Sequence, residues 1–479
     1  MELLSPAGNF EKLKTALHYG ANAVYFASRK LGLRAYADNF STDEIVAAVK
    51  LLHSGGKKAY VAVNVIARNA DFGGLVDYLK FLESAKVDAI IVSDFGILDF
   101  AKRHTGLDIH ISTQANITNK YAARFMFDMG AKRVVLAREL SLGEIADIKA
   151  YTPKLELEAF VHGAMCIAYS GRCLLSNYLN NRGANSGQCS QPCRWEYGVS
   201  NYEFRIQNSE LLKKTCAGSE LLKKTCAGTE LLTECKNNSE LMQAVIKESG
   251  RELVIEQDSR GTYILNSKDL NMLRHLDKMA DAGITSFKIE GRMKSAYYVA
   301  AVTNAYRGAL DLLAKSRKDS DCKAESKKQG GKDSGKNADT DFFKKTESLE
   351  KELHKVSNRG YTTAFYLGDN TDTENFDTSL PKVEIDVLAQ VEADICKGFK
   401  GNKDFKGYTK IIQRNKFLVG DTLEVLSPNA KSHNKQAKVI DILDESGSAQ
   451  QSANKAANIY YIKLDKNIIT TAGDFLRST

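Results

Sequence analysis

Short apolar runs alternate with longer amphipathic stretches along more than half of this chain, and this alternation limits its fold more than any other feature. The apolar runs lie at 2–4, 23–27, 58–64, 89–93, 108–112, 133–137, 155–161 and 286–290. Strand–helix alternation is typical of parallel α/β architecture, and eight strands close a (β/α)8 TIM-type barrel, so we predict that barrel. A doubly wound open sheet is the rival fold, but no Gly-x-Gly-x-x-Gly follows the first run.

The interval between the seventh and eighth runs, residues 162–285, is far longer than the other intervals. We therefore predict an insertion at about 164–283, in a loop at the C-terminal face of the barrel, where this architecture keeps its active sites. Within it, the decapeptide Ser-Glu-Leu-Leu-Lys-Lys-Thr-Cys-Ala-Gly at 209–218 is copied at 219–228 and decays by 238. The repeat 209–238 is too short for a solenoid unit, and we interpret it as an expanded surface insertion.

Changes in composition divide the rest of the chain. The barrel is expected over 1–315, and residues 316–356, rich in Lys, Ser and Asp, are predicted to form a flexible linker. A second domain is expected over 376–479, where five stretches alternate or run apolar at strand length: 383–391, 408–413, 422–426, 437–442 and 459–464. Short strands separated by turn residues predict a small all-β barrel.

Composition excludes several classes of protein. Of the 479 residues, 43% are hydrophobic, which excludes wholesale disorder. No stretch is long and apolar enough for a membrane span, and the N-terminus resembles no secretory signal, so we expect a cytoplasmic protein with no membrane partner. The net charge of +8 is modest, which leaves nucleic-acid binding open. Nine cysteines, an odd number, do not suit an extracellular disulfide scaffold.

Four of the cysteines form a cluster with metal-ligand character. Their spacing is Cys-x6-Cys-x15-Cys-x3-Cys, at Cys166, Cys173, Cys189 and Cys193. Four thiolates from one loop suit Zn²⁺ or an iron–sulfur cluster. Structural zinc usually shows two Cys-x2-Cys pairs, which are absent here, so the spacing favours iron–sulfur over zinc. Buried structural thiols without a metal are the third reading.

The segment around the first two cysteines also carries a family resemblance. Glu158-Ala-Phe-Val-His-Gly-Ala-Met-Cys166 and Gly171-Arg-Cys173-Leu-Leu-Ser176 resemble the signature of the collagenase-like peptidase family U32. Other matching motifs are Glu2-Leu-Leu-Ser-Pro-Ala-Gly8, Gln114-Ala-Asn116, Arg138-Glu-Leu-Ser-Leu142, Asn266-Ser-Lys-Asp-Leu270, Lys288-Ile-Glu-Gly-Arg292 and Arg359-Gly-Tyr-Thr362. Cys193-Arg-Trp-Glu-Tyr197 and Gly261-Thr-Tyr-Ile-Leu-Asn-Ser267 are most similar to the subgroup of tRNA uridine 5-hydroxylases.

This resemblance implies a function and a cofactor. The subgroup makes 5-hydroxyuridine at the wobble position of tRNA without O2, drawing on prephenate and on iron–sulfur biogenesis. The resemblance therefore implies a [4Fe-4S] cluster on the four cysteines at 166–193, with Cys216, Cys226 and Cys235 of the repeat as competitors for the fourth ligand. Relatives in the same family hydroxylate a ribosomal-RNA cytidine or a quinone ring, and these substrates remain alternatives.

Candidate catalytic groups stand near the ends of predicted strands. They are His162, Glu158, Lys288 and Glu290. In a cysteine peptidase, His162 would serve as the base for Cys166, but an i, i+4 pair meets readily only on a helix and His162 ends a predicted strand. We therefore expect His162 to be a substrate or proton-transfer group, or a satisfied structural histidine. Lys288 and Glu290 point to the same side of their strand, and buried charges there are costly unless they pair or act on a ligand.

Candidate substrate-binding residues stand at the rim of the predicted barrel. They are Arg34, Asn64, Gln114, Asn116, Arg138 and Arg292, with Trp195 and Tyr197 in the insertion as stacking platforms for an unpaired base. A small dianionic acid such as prephenate needs guanidinium groups, for which Arg34, Arg138 and Arg292 are the candidates. A basic group in the second domain is a candidate grip for the RNA backbone: Lys400, Lys403, Lys406, Lys410, Arg414 and Lys416.

The sequence thus favours a cytoplasmic tRNA uridine hydroxylase that binds tRNA and a small dianionic acid. Two alternatives belong to other classes: a metal-free cysteine peptidase and a zinc-stapled RNA-binding protein without catalysis.

Overall fold

The fold was determined from a computed structural model of the chain. It describes residues 1–28, 39–166, 168–180, 193, 242–248, 251–258, 261–262, 267–327, 338–368, 382, 385–393, 405, 407–466 and 468–479. Two compact units contain these residues: one holds 1–192, 267–375 and 380–479, and the other holds 193–266 and 376–379. None of the described helices is long and apolar enough to cross a membrane.

The first 180 residues alternate strictly between strands and helices. The strands are β1 (Glu2–Pro6), β2 (Ala23–Ala27), β3 (Lys58–Val63), β4 (Ala89–Val92), β5 (Asp108–Ile111), β6 (Arg133–Val135) and β7 (Glu156–Ala164). The helices are α1 (Phe10–His18), α2 (Thr42–Ser54), α3 (Leu75–Ser84), α4 (Phe95–His104), α5 (Lys120–Asp128), α6 (Leu142–Tyr151) and α7 (Leu175–Asn180). Side-chain caps fix several helix starts; Ser41 and Ser141, for example, form capping boxes with Glu44 and Glu144.

The second compact unit contains an antiparallel three-stranded sheet. Its strands are β8 (Met242–Glu248), β9 (Arg251–Asp258) and β10 (Gly261–Thr262). They lie within the predicted insertion, whose repeat at 209–238 is outside the described residues.

The chain then returns to the main unit. The next strands are β11 (Asp269–Asn271), β12 (Ile284–Ile289) and β13 (Tyr361–Thr362). The helices are α8 (Leu276–Asp281), α9 (Ala296–Lys327), α10 (Ala338–Lys345) and α11 (Glu347–His354).

Eight parallel strands close a barrel. β12 pairs with β1 on one side, with Leu4 opposite Lys288, and with β7 on the other, with Phe160 opposite Lys288. The strand order β12-β1-β2-β3-β4-β5-β6-β7 follows the chain, with helices between the strands. The predicted (β/α)8 barrel is therefore confirmed, and the large insertion follows its seventh strand.

Two short strands extend the sheet beside the upper end of β7. β11 runs antiparallel to β7, with Asn271 opposite His162 and Asp269 opposite Ala164, and β13 pairs in parallel with β11. Strands of three and two residues are too short for an apolar period, so sequence patterns did not predict them. This edge secures the backbone of β7 immediately before Cys166.

Part of the segment predicted as a linker, residues 316–356, is helical. α9 continues to Lys327, and α11 lies within the predicted linker with Glu352 and Leu353 buried. The linker was predicted from a composition rich in Lys, Ser and Asp, but in α11 the charged residues alternate with apolar residues that pack against the main hydrophobic core.

The C-terminal domain is a second closed barrel. Its strands are β14 (Val387–Ala393), β15 (Thr409–Gln413), β16 (Phe417–Leu418), β17 (Thr422–Leu426), β18 (Gln436–Asp444), β19 (Ser452–Ala453), β20 (Ile459–Leu464) and β21 (Phe475–Arg477). Six of them close antiparallel in the order β14-β15-β20-β18-β17-β21. The predicted small β-barrel is confirmed. Among its six closing strands β21 is the one that sequence patterns missed, and the two-residue strands β16 and β19 were not predicted either.

A buried arginine joins the two barrels. The side chain of Arg477 is fully buried, and it donates to Glu424 (2.8 Å), to Glu352 of α11 (2.7 Å) and to the Tyr297 hydroxyl of α9 (2.9 Å). Lys355 adds a second cation, 2.9 Å from both carboxylates. A buried charge is tolerable only with such partners, so this cluster fixes where the C-terminal barrel docks.

Replacing Arg477 tests that role. We expect Arg477→Met to destabilise the chain by about 2 kcal/mol, because two carboxylates stay buried with Lys355 as their remaining cation. Urea unfolding followed by circular dichroism measures the change. Arg414→Met is the matched control, since Arg414 pairs with Glu11 at a partly exposed site and should lose less than about 1 kcal/mol. Equal losses in the two variants would contradict the assignment.

Candidate functional site at the barrel mouth

The loop after β7 carries the first two clustered cysteines across the mouth of the barrel. The thiol of Cys166 is exposed, that of Cys173 is half-buried, and neither forms a disulfide. Gly171 has φ +77°, and a Cβ at this position would lie 2.2 Å from the carbonyl oxygen of Gln114, after β5. The backbone N–H of Ser170 donates to Glu139, after β6 (3.3 Å). The close approach requires glycine and holds the loop over the ends of two strands.

Arg138 places a positive charge beside the first cysteine. Its Nη1 donates to the Ala164 carbonyl (3.1 Å) and lies 3.9 Å from Sγ of Cys166. The guanidinium stacks 4.0 Å above the ring of Phe160, and the side chain is buried. Because the ring and the carbonyl fix the guanidinium, it can hold an anionic centre or ligand at the mouth with little loss of side-chain entropy.

A polar cleft of about 450 Å³ opens next to this cysteine loop. It is lined by Asn116, Thr118, Glu139, Leu140, Glu144, Tyr169 and Arg172. Tyr169 is 58% exposed, and the side-chain oxygens Oδ1 of Asn116 and Oε2 of Glu139 have no hydrogen-bond partner among the described residues. Buried acceptors without donors are costly, so this lining suits a ligand that brings hydrogen-bond donors and an aromatic or planar face.

An ion network fills the barrel interior. Glu158 is fully buried and accepts from Lys288 (2.7 Å) and from Arg133 (3.1 Å). Arg133 also contacts Glu2 (2.6 Å), which accepts from the Ser286 hydroxyl as well (2.9 Å). Burial alone would raise the pKa of Glu158, but the charges of Lys288 and Arg133 outweigh it and hold this pKa below its ordinary value.

The ring of Phe160 connects this network to the mouth. It lies under the guanidinium of Arg138 and 5.4 Å from Nζ of Lys288. The predicted catalytic residues Glu158 and Lys288 are thus brought together as each other's ion-pair partners inside the barrel. Their catalytic role stays a prediction, and their structural role follows from the contacts.

His162 lies behind β7, on the side of the helices. Its ring packs against Tyr298 and Tyr306 of α9 and Tyr361 of β13, at centroid distances of 5.9, 5.5 and 5.3 Å. Burial lowers its pKa to about 3, so the imidazole is neutral. Glu290 is half-buried, and its carbonyl accepts from the Tyr298 hydroxyl (3.2 Å). These positions favour the structural reading of His162, and the catalytic roles of both residues stay predictions.

Some of the remaining predicted rim residues are described by the structure, and others are not. The hydroxyl of Ser112 links Asn64 with the backbone of Gln114, at 3.3 Å each. Arg292 is buried, with its carbonyl against Gly8 and Lys12. Outside the described residues lie Arg34, Cys189, Trp195, Tyr197, Cys216, Cys226 and Cys235.

Three of the four cysteines predicted to bind a metal are among the described residues: Cys166, Cys173 and Cys193. No three described His, Cys, Asp or Glu side chains are close enough together to hold a metal ion. Cys193 is half-buried and belongs to the second compact unit, and Cys189 lies outside the described residues, so the four-cysteine set stays a prediction.

Five polar or aromatic residues that line the polar cleft beside the cysteine loop were not among the predicted site residues: Thr118, Glu139, Glu144, Tyr169 and Arg172. A signal was present for three of them. Glu139 directly follows Arg138 in the quoted motif, and Tyr169 and Arg172 lie between the two cysteines.

Comparison with known proteins gives consistent matches along nearly the whole chain. The profile of Peptidase family U32 matches residues 8–375, and that of the Peptidase family U32 C-terminal domain matches 395–477. The tRNA hydroxylation protein P of Haemophilus influenzae is 32% identical, over 98% of this chain and 97% of its own length. The tRNA hydroxylation protein P1 of Bacillus subtilis is 34% identical, over 98% and 92%. An uncharacterized protease of Methanocaldococcus jannaschii is 37% identical, over 78% and 75%.

Proposed function

This chain belongs to peptidase family U32, and on that premise we propose that it hydroxylates a wobble uridine of tRNA to 5-hydroxyuridine without O2 in the cytoplasm. The observation that carries the proposal is the similarity, over nearly the full length, to two tRNA hydroxylation proteins. The mouth of the barrel supports it, because a cysteine loop, a fixed arginine and a polar cleft lie side by side there.

A [4Fe-4S] cluster on Cys166, Cys173, Cys189 and Cys193 is the proposed cofactor. Two features of the described residues fit it: Cys166 and Cys173 carry thiols without disulfides on one loop, and Arg138 places a cation 3.9 Å from the first. Thiolates are the usual protein ligands of such clusters, and metal binding commonly gathers ligands that the metal-free chain holds apart. When bound, the cluster would supply Lewis-acid or electron-transfer chemistry beside the substrate.

We propose that the polar cleft beside the cysteine loop, called here the mouth cleft, binds the uridine. The exposed ring of Tyr169 is a platform on which a base taken out of the RNA stack can lie. Uracil carries one donor, its N3–H, which would satisfy one of the two unpartnered acceptors, Oδ1 of Asn116 or Oε2 of Glu139. Arg172 supplies a positive charge for the neighbouring phosphate.

A small dianionic acid such as prephenate is the proposed co-substrate. Carboxylates are bound best by guanidinium groups, and Arg138 is the proposed partner for the acid, whereas Arg172 lines the cleft proposed for the uridine and its phosphate. With one of them near the cysteine loop and the other lining the cleft, the acid and the uridine would meet beside Cys166.

A cysteine peptidase is the second candidate, favoured by the name of the Methanocaldococcus jannaschii relative. Peptidase chemistry needs a base that can take the proton of the Cys166 thiol. The nearest imidazole in sequence, that of His162, packs among three tyrosine rings and has a pKa of about 3. This arrangement makes peptidase chemistry the weaker candidate.

Anaerobic purification followed by an absorption spectrum and iron and sulfide assays tests the proposal. We expect a brown protein with about four iron and four sulfide per chain, and 5-hydroxyuridine restored to the tRNA of a strain that lacks its own hydroxylase. One zinc per chain with unchanged tRNA nucleosides would instead indicate the zinc-stapled RNA-binding protein. A colourless protein that cleaves a denatured polypeptide would indicate the peptidase.

A further inference from the structure

The C-terminal barrel carries a basic cleft of about 530 Å³. It is lined by Lys431, Ser432, Asn434, Lys435, Gln436, Lys466, Ile468 and Ile469. The three lysines are exposed, and the described lining residues include no carboxylate. We call this surface the lysine cleft.

The cations of the lysine cleft have no acidic partners in the described part of the chain. Lys431, Lys435 and Lys466 form no ion pair there, and Nζ of Lys466 donates to the backbone carbonyl of Gln436 (3.2 Å). Two of the six cations predicted to grip RNA do have acidic partners, because Lys410 lies 2.8 Å from Glu392 and Arg414 pairs with Glu11. Of the other four, Lys416 is exposed, and outside the described residues lie Lys400, Lys403 and Lys406. Three like charges around one concave surface repel each other, and an anion in the cleft would relieve that repulsion.

The walls of the lysine cleft are fixed to the rest of the main unit. Oδ1 of Asn434 accepts from Arg477 (2.8 Å), and its Nδ2 donates to Glu352 of α11 (2.9 Å). On the other wall, the Ser432 hydroxyl donates to the carbonyl of Ile469. A ligand in the cleft would therefore be held in a constant position relative to the (β/α)8 barrel, and a large substrate that reaches both domains needs such a fixed contact.

We propose that the lysine cleft binds the sugar–phosphate backbone of tRNA. Ammonium groups without competing carboxylates suit successive phosphates, and the side chain of Ile469, 60% exposed, offers an apolar contact to a ribose or a base. The inference rests on the proposed function and adds a second contact region to it, distant in sequence from the cysteine loop. The predicted grip around Lys410 and Arg414 stays a prediction beside it.

A triple substitution tests the proposal on the full chain. Lys431→Gln, Lys435→Gln and Lys466→Gln together should weaken the binding of a tRNA transcript on the order of a hundredfold at about 0.15 M salt. The slope of log K against log salt should become less steep by about 3, because each lost phosphate contact removes roughly one. Fluorescence anisotropy over a salt series measures both quantities.

The control removes the same charge elsewhere. Lys50→Gln, Lys58→Gln and Lys80→Gln together change three exposed lysines of the (β/α)8 barrel, and the slope should stay that of the wild type. Each single variant of the lysine cleft should lower the slope by about one, which keeps the test independent of any folding defect in the triple variant. At saturating tRNA, hydroxylation by the triple variant should reach the wild-type rate, with only KM raised.

Different measurements would overturn this inference and the proposed function. A wild-type chain that hydroxylates tRNA, together with a triple variant whose affinity and salt slope are unchanged, would overturn the lysine cleft alone. A wild-type chain that binds tRNA with the expected slope but leaves its uridines unmodified would overturn the hydroxylase and retain the cleft. A wild-type chain that binds no tRNA overturns both.

Discussion

Cys166→Ala is expected to abolish both the brown colour of the anaerobically purified protein and the 5-hydroxyuridine of tRNA. The reason lies in the position of the thiol, at the mouth and beside the fixed cation of Arg138. A methyl group cannot replace a thiolate ligand, and loss of one of four ligands opens the cluster to solvent and oxidation. Iron content per chain and nucleoside analysis of cellular tRNA measure the two effects, and Cys173→Ala should behave in the same way.

Other cysteines of the chain provide controls. Cys322→Ala, in α9, should leave iron and modification unchanged. The triple variant Cys216→Ala, Cys226→Ala and Cys235→Ala removes the competing thiols of the repeat, and retained iron would show that the fourth ligand lies outside the repeat, as Cys193 does. Full 5-hydroxyuridine in the Cys166→Ala strain would refute the catalytic role of the cysteine loop.

Glu158→Gln is expected to destabilise the chain by about 3 kcal/mol at neutral pH. The variant keeps the shape of the side chain but leaves the buried ammonium of Lys288, 2.7 Å away, without its carboxylate. The charge of Arg133 stays compensated in the variant, because Glu2 and Glu156 still contact it. Urea unfolding measures the difference, and the double variant Glu158→Gln, Lys288→Met should recover much of the loss since it removes both charges.

The pH dependence of this difference has a definite sign. The pKa of Glu158 lies below its ordinary value of 4.5 because Lys288 and Arg133 outweigh burial. A carboxyl with a lowered pKa contributes stability that is fully present above pH 4.5 and is lost as the pH falls through its folded-state pKa. The gap between the wild type and Glu158→Gln should therefore be constant from about pH 7 to 5.5 and shrink below about pH 4.5.

The double variant also separates structure from catalysis. If Glu158 and Lys288 act only as an ion pair that supports Phe160 and Arg138, Glu158→Gln, Lys288→Met should retain hydroxylation in proportion to the folded fraction. A stable double variant without 5-hydroxyuridine would show instead that these two residues take part in the reaction.

The sequence alone determined the parts of this protein that depend on local periodicity. The eight apolar runs correspond to the eight barrel strands, because strands that are buried on both faces consist of nearly continuous apolar residues. The long interval after the seventh run correctly predicted a large insertion between the seventh and eighth strands, and most of it, residues 193–266, belongs to the second compact unit. Five of the six strands of the closed C-terminal barrel followed from the same signal. The exception is β21, whose three residues are too few to show a period, and the two-residue strands β16 and β19 were missed for the same reason.

Only the tertiary structure decided which side chains meet. The contact of Arg138 with Cys166, the pairing of Glu158 with Lys288 and the burial of Arg477 against Glu352 join residues 28, 130 and 125 positions apart. Such contacts depend on strand register, on which face of a strand a side chain occupies and on how the two barrels dock. A linear pattern identifies a charge near the end of a strand, but the residues that surround the charge are set by the fold. For this reason Glu158 and His162 resembled mouth residues in the sequence and proved to be buried in the structure.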